Sequence, residues 1–238
     1  MHDLDKYHTG YFDYLEQPEN ATRYTPAIDQ LRRFHHPAPL RVLDLGCGAA
    51  VLAHYLDEDD TYTGVDHDPI GLARAHHRKL RPAVRFHQDD TVRFLDEQIN
   101  HSNTWNVVVV AGVLFHNIDT RTGNHHDDLA FLARCLDVLE PTGHLSIIAP
   151  FAYTDDERSD WFVQARWKHS TIAPLLDGLG EAHLVAEITS RQLGLERRLA
   201  AQTTPPDWFV SDAATAPTSP YHGHYLATLT LIVELTQR

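Results

Sequence analysis

The sequence has few cysteines and no long apolar run. Cys47 and Cys135 are its only cysteines among 238 residues, which excludes a disulfide framework and a cysteine-rich zinc site and suits a reducing compartment. No segment approaches the roughly 20 apolar residues of a membrane-spanning helix, and the polar start MHDLDKYHTG lacks the apolar core of a signal peptide. The composition therefore predicts a cytoplasmic protein.

Cationic residues are also scarce. Lysine and arginine number 20 against 33 aspartates and glutamates, so the net charge is −13 with histidine neutral. A negative field of this size repels phosphate backbones and anionic membrane surfaces, so neither nucleic acid nor a membrane is an expected partner. Most of the 18 histidines are expected on the surface, and they make the charge much less negative below about pH 6.5.

From residue 40 onward, short apolar runs alternate with amphipathic stretches, as in a parallel sheet covered by helices. The elements predicted in order are strands at 40–45, 61–66, 84–88, 105–111 and 143–149, a helix near 180–192, a strand near 195–201 and a last strand in YLATLTLIVEL. Asp68 is expected to cap a helix that holds Pro69 in its first turn and runs to about Leu80. The run WNVVVVA indicates a central strand covered on both faces.

Two closely spaced glycines follow the first predicted strand in RVLDLGCGAA. Gly46 and Gly48 have no Cβ atom to obstruct a ligand. In doubly wound sheets, a turn of this kind between a parallel strand and a helix binds nucleotide-like ligands. Taken alone, the pattern also fits a plain strand-to-helix turn.

Five motifs in order resemble those of the class I S-adenosylmethionine-dependent methyltransferases: LDLGCGAA, VDHDP, VRFHQDD, WNVVVVAGVLFH and LEPTGHLSII. The resemblance covers roughly residues 40–150. It implies S-adenosyl-L-methionine as cofactor and an α/β fold, namely a Rossmann-like, doubly wound, seven-stranded sheet with the last strand antiparallel and a helical lid insertion. At Ala50 the family's turn often has a third glycine, so the following helix start should be slightly more crowded.

The resemblance also divides the single domain into parts. The parts expected are an N-terminal helical cover (1–39), a cofactor-binding core (40–150), a lid insertion (151–180) and a C-terminal helix with strands (181–238).

The cofactor-binding residues that the resemblance implies are Asp44, Gly46, Cys47, Gly48, Asp66, His67, Asp90, Thr91, Ala111 and Tyr14. Asp44 is expected to bind the cofactor's ammonium group directly or through water. Asp66 would accept both ribose hydroxyls, and His67 would stack on adenine. Asp90 would accept from the adenine amino group, although the neighbouring Asp89 leaves the alignment uncertain by one residue. For both Asp66 and Asp90 the alternative is a helix cap.

On the acceptor side, His116 is expected near the transferring methyl group, either as a general base or as a donor to a backbone carbonyl in the turn. Residues 154–180 and 203–224 are rich in large rings and are expected to fold over the acceptor, with packing or a dimer contact as the alternative. The substrate-binding residues proposed are Tyr11, Trp161, Trp167, His169, Trp208, Tyr221 and His222.

Two further patterns have weaker interpretations. Tyr7, Tyr11 and Tyr14 share one broad face of a predicted helix, which either packs on the domain or covers the cofactor. His125 and His126 are adjacent, so on a helix they point about 100° apart and do not readily converge on one ion. No metal is therefore expected.

The expected function is transfer of a methyl group from S-adenosyl-L-methionine to an O, N or C atom of a small molecule, a secondary metabolite being one option. Two alternatives stay open: an enzyme of this fold with another reaction, such as cyclisation, and a non-catalytic partner subunit. A homodimer is also open.

Overall fold

The computed structural model describes residues 16, 24–112, 126–152, 167–168, 179, 182–191 and 226–235. At 126–127, 149–152, 167–168, 187–191 and 226–229 it describes the backbone and not the side chains. Within these ranges eight strands form one sheet, with helices on both faces. The predicted α/β class is confirmed.

The strands are β1 (Arg41–Leu45), β2 (Thr61–Asp66), β3 (Ala83–Gln88), β4 (Trp105–Ala111), β5 (Leu139–Ala152), β6 (Trp167–Lys168), β7 (Ala182–Arg191) and β8 (Leu226–Leu235). Seven of them follow the order β3-β2-β1-β4-β5-β8-β7, and the two-residue β6 pairs with β5 beside this path. Strands β1 to β5 pair in parallel, whereas β8 is antiparallel to both β5 and β7. The predicted seven-stranded sheet with an antiparallel last strand is therefore confirmed, with β6 as a short addition.

The helices are α1 (Thr25–His35), a 3₁₀ helix (Leu52–Tyr55), α2 (Pro69–His76), α3 (Thr91–Asn100) and α4 (His126–Asp137). Alternating side chains of β1 enter two separate cores. Leu43 packs in the cluster that contains residues of α3 and α4, while Val42 packs in the cluster that contains residues of α1, the 3₁₀ helix and α2. The sheet is thus covered on both faces, and its strand ends are left to form the site.

The predicted central strand is β4, with the expected bounds. Its residues Val107, Val108, Val109 and Val110 are each at most 1% exposed, because they alternate between the two cores. Burial on both faces explains why this strand is a continuous apolar run instead of an alternating one.

The prediction of a helix near 180–192 is wrong, because Ala182–Arg191 form strand β7. Its residues pair with β8 along nearly the whole length, with an irregularity between Leu184 and Ala186. Leucine, alanine and glutamate in this segment have local helical propensity, but the backbone pairing with β8 outweighs it, and Val185 and Ile188 suit a strand. The strand predicted near 195–201 lies outside the described residues.

Strand β5 is longer than the predicted 143–149. It begins at Leu139, which pairs with Trp105, and it continues to Ala152. Its last two residues extend beyond the end of β4 and pair instead with β6. The backbone of Trp167 is consequently placed beside the edge at which the parallel strands end.

In the part of the chain that the structure describes, no helix is both long and apolar enough to cross a membrane.

Candidate functional site

The glycine-rich turn after β1 is held by the end of β2. The amides of Gly46 and Cys47 both donate to the carbonyl of Val65, at 2.8 and 3.1 Å. Gly46 and Gly48 have φ values of 74° and 51°, in the left-handed region that a residue with a Cβ atom rarely adopts. The backbone conformation therefore favours glycine at both positions, and the turn lies at the carboxyl edge of the sheet, as predicted.

Asp66 connects β2 to this turn. One of its oxygens accepts from the Gly48 amide at 2.7 Å and the other from the Asp68 amide at 2.8 Å. The residue is 8% exposed. Burial raises the pKa of the Asp66 carboxyl, and the Asp68 and Gly48 amides partly oppose this shift. A carboxylate has about four acceptor positions, so about two remain for a ligand.

The helix-cap alternative for Asp66 does not hold, because Asp68 occupies that position. Its side chain accepts from the amides of Ile70 and Gly71, and Pro69 stands in the first turn, as predicted. The helix ends at His76 and not near Leu80. The amide of Arg78 bonds back to the Ala75 carbonyl three residues earlier, which tightens the chain out of the α-helix.

Asp44 lies beneath the turn and is 3% exposed. Its Oδ2 accepts a hydrogen bond of 2.6 Å from the hydroxyl of Tyr62. Burial and the Asp44 charge raise the pKa of Tyr62, so this hydroxyl keeps its proton. Sequence reasoning missed Tyr62, although its position in β2 places it on the same face as Asp66.

The thiol of Cys47 shows the sign of the electrostatic field at the turn. Burial raises the pKa of Cys47 far above its usual value, and the charges of Asp44 and Asp66 raise it further. This thiol is therefore not a nucleophile. The negative potential from two buried carboxylates favours a cationic ligand at the turn.

Asp90 adopts the alternative role considered for it. Its Oδ1 accepts from the amides of Val92 and Arg93, which makes Asp90 the N-cap of α3. The neighbouring Asp89 forms an ion pair with Arg93. The cap does not use every acceptor position of the Asp90 carboxylate, so binding of adenine by Asp90, with the Thr91 backbone nearby, remains a prediction.

Two further predicted positions lie at the same edge. The side chain of His67 is 51% exposed, and its Nδ1 is 3.6 Å from Asp66. Ala111 is the last residue of β4, and the following Gly112 has a φ of 72° and donates to the Ile148 carbonyl at 3.0 Å. Because the parallel strands end together, the structure brings the predicted residues of β1, β2, the start of α3 and the end of β4 to one edge.

The remaining predicted site residues lie outside the described residues or have no described side chain: Tyr11, Tyr14, His116, Trp161, Trp167, His169, Trp208, Tyr221 and His222. Most of the predicted lid is likewise outside them. A surface cavity of about 600 Å³ occurs between β2, β3 and α3, but its lining contains none of the predicted site residues. Its lining includes Arg41, Thr61 and Ala83, the first residues of three strands, so it does not lie over the glycine-rich turn.

The sheet order and the turn define a Rossmann-like fold of the class I methyltransferase type. Residues 42–143 match the family model described as a methyltransferase domain. The chain is 31% identical over 154 residues to a trans-aconitate 2-methyltransferase of Acidovorax ebreus (strain TPSY). The aligned region covers 63% of this chain and 51% of that protein. It thus spans about half the length of this curated relative.

Solved structures share the fold at low sequence identity. The plantazolicin methyltransferase BpumL, in complex with SAH, has a TM-score of 0.58 at 14% identity and covers 97% of this chain and 91% of that one. A methyltransferase of Geobacter sulfurreducens, in complex with S-adenosyl-L-homocysteine, has a TM-score of 0.58 at 17% identity, with 92% and 91% covered. The chain therefore has the methyltransferase Rossmann-like fold, and its residues 42–143 match a methyltransferase domain, in agreement with the resemblance inferred from the motifs.

Proposed function

We propose that the chain binds S-adenosyl-L-methionine at the carboxyl edge of β1 and β2 and transfers its methyl group to a small molecule. The observation that supports this most is Asp66, a buried carboxylate bonded to the Gly48 amide, with acceptor positions left for the two hydroxyls of a ribose. The negative field of Asp44 and Asp66 suits a ligand that carries a sulfonium and an ammonium group.

The chain's own residues supply binding and orientation. When bound, the cofactor supplies an electrophilic methyl group, so the protein mainly has to align it with the acceptor. Gly46 and Gly48 allow the backbone to approach the amino-acid end, and Asp44 attracts the ammonium group. His67, Asp90 and Thr91 are proposed to contact adenine.

The residues proposed to contact the acceptor are inferred from the sequence. His116 is proposed as the group that removes a proton from the acceptor, and residues 154–180 and 203–224 as the cover of the acceptor. The name of the curated relatives makes trans-aconitate the first acceptor to assay. We further propose a cytoplasmic location, which the free, buried thiols of Cys47 and Cys135 suit.

Calorimetry with S-adenosyl-L-homocysteine tests the cofactor site. The wild type should bind, and Asp66→Asn should bind at least tenfold more weakly, because an amide replaces the charged acceptor of the ribose. Asp96→Asn is the matched control, since Asp96 is an exposed carboxylate of α3 that pairs with Arg134 of α4. Absence of binding by the wild type would contradict the proposal, whereas equal binding by Asp66→Asn would contradict only the role of Asp66.

The mass of the product separates methyl transfer from the alternative reactions. Methyl transfer adds one methyl group to the acceptor and releases S-adenosyl-L-homocysteine. A product of any other mass would favour a different reaction on the same fold.

A further inference from the structure

Arg78 contacts both the glycine-rich turn, at Ala49, and Glu16. It follows α2, and its Nε donates to the carbonyl of Ala49 at 2.6 Å. Its Nη2 lies 3.0 Å from Oε1 of Glu16, and the Arg78 side chain is 22% exposed. Arg74 also lies near this Glu16 oxygen, at 3.5 Å, and provides a comparison within the same ion pair.

The Ala49 carbonyl belongs to the peptide bond between Ala49 and Ala50. The backbone conformation of Ala50 is unfavourable. Ala50 has a φ of 53° although it carries a Cβ atom, and it is fully buried. The left-handed region brings a Cβ atom too close to the following carbonyl oxygen, so such a residue needs support from its surroundings. The Ala50 amide donates to the Cys47 carbonyl at 2.8 Å, which supports one side of this peptide.

Arg78 supports the other side of the same peptide. The amides of Gly46, Cys47 and Gly48 are already fixed by Val65 and Asp66 of β2. The Ala49 carbonyl lies beyond the reach of those contacts and accepts instead from the guanidinium of Arg78. A charged donor makes a shorter and stronger bond than a neutral one, which suits a peptide held against its conformational preference.

We propose that Arg78 is a positioning residue that holds the glycine-rich turn in its ligand-binding form. It supports alanine at a position where a third glycine would need no support, and Glu16 orients its guanidinium. The part of this inference that concerns affinity rests on the proposed cofactor binding.

The test compares Arg78→Ala in two backgrounds by calorimetry with S-adenosyl-L-homocysteine. In the natural background the affinity should fall about tenfold, because the turn is no longer held in place. In the Ala50→Gly background the same change should cost threefold or less, because glycine adopts the left-handed region freely. Arg74→Ala is the control and should bind within twofold of the wild type, since Arg74 pairs with the same Glu16 oxygen whereas the donor to the Ala49 carbonyl is Arg78.

Equal losses in the two backgrounds would overturn the proposal, as would unchanged affinity in Arg78→Ala. If Arg78→Ala does not fold, Arg78→Lys replaces it in both backgrounds. Its single ammonium group cannot reproduce both guanidinium contacts, so an intermediate loss of about threefold is expected, again only with Ala50 in place.

Amide hydrogen exchange of the free protein separates this inference from the proposed function. In Arg78→Ala the amides of Gly48 and Ala50 should exchange at least tenfold faster than in the wild type without any ligand. Faster exchange together with absent wild-type binding would retain the role of Arg78 and reject the cofactor. Unchanged exchange would reject the role of Arg78.

Discussion

Lowering the pH should destabilise the protein through His144, a buried histidine of β5 that lies beside His35 at the end of α1. His144 is 5% exposed, and its Nδ1 lies 3.0 Å from Nε2 of His35. Its ring stacks on Phe34 with centroids 4.6 Å apart. Burial and the neighbouring His35 and His183 lower the pKa of His144 from 6.5 to about 4.

The direction of the effect follows from proton binding. Between pH 6.5 and about 4, His144 is protonated in the unfolded chain but not in the folded chain. Its contribution to the free energy of unfolding is therefore complete above pH 6.5 and is lost as the pH falls through this range. At ~1.4 kcal/mol for each pKa unit, the loss approaches about 3 kcal/mol near the lower end and is about 2 kcal/mol at pH 5. Burial lowers the pKa of His35 as well, although Glu140 and Glu234 oppose this, so His35 adds to the loss.

Denaturant unfolding from about pH 7.5 to about pH 4.5 measures this dependence. The comparison is His144→Gln, which keeps a polar side chain but does not titrate. Its stability should change less over the same range, whatever its stability at neutral pH. Parallel pH profiles of the two proteins would refute the assignment to His144.

Three other predictions follow from contacts in the two cores. Ser146→Ala should raise the free energy of unfolding by about 1 kcal/mol, because the buried Ser146 hydroxyl has no hydrogen-bond partner among the residues that the structure describes, and an unchanged denaturation midpoint would contradict this. Gly64→Ala should cost about 1–3 kcal/mol, because the added Cβ would lie 2.8 Å from Sγ of Cys47. The cost should shrink in a Cys47→Ala background, so an equal cost there would show that the sulfur is not the obstacle. The thiols of Cys47 and Cys135 should react with a thiol reagent far more slowly in the folded than in the unfolded protein, because burial raises the pKa of both, and rapid labelling of the folded chain would be inconsistent with that burial.

Local chemistry in the sequence predicted the parts of the site that depend on neighbouring residues. Gly46 and Gly48 were recognisable because a turn with positive φ favours glycine. Asp68 was recognisable as a cap because it directly precedes a proline at the start of a helix. The order of the motifs then placed Asp66 at the carboxyl edge, where the structure has it.

The roles of Asp66 and Asp90 illustrate the limit of such patterns. Both acids lie where a strand ends and before a helix begins, so the sequence left the same two roles open for each. The structure distinguishes them in the cap role alone, since Asp90 caps α3 while Asp66 bonds to Gly48. The difference depends on which backbone amides come within reach, and that is a property of the folded chain.

By itself the sequence determined the alternation of strands and helices as far as β5 and the glycine-rich turn at the carboxyl edge of the sheet, because each depends on residues that are close along the chain. Only the tertiary structure decided that 182–191 is a strand, because its pairing with β8 comes from a segment over thirty residues away. The same holds for the bond from Arg78 to Ala49 and for the pair of His35 and His144. These contacts join groups 29 and 109 positions apart, and no local pattern encodes them, because the packing of the folded chain is what brings the groups together.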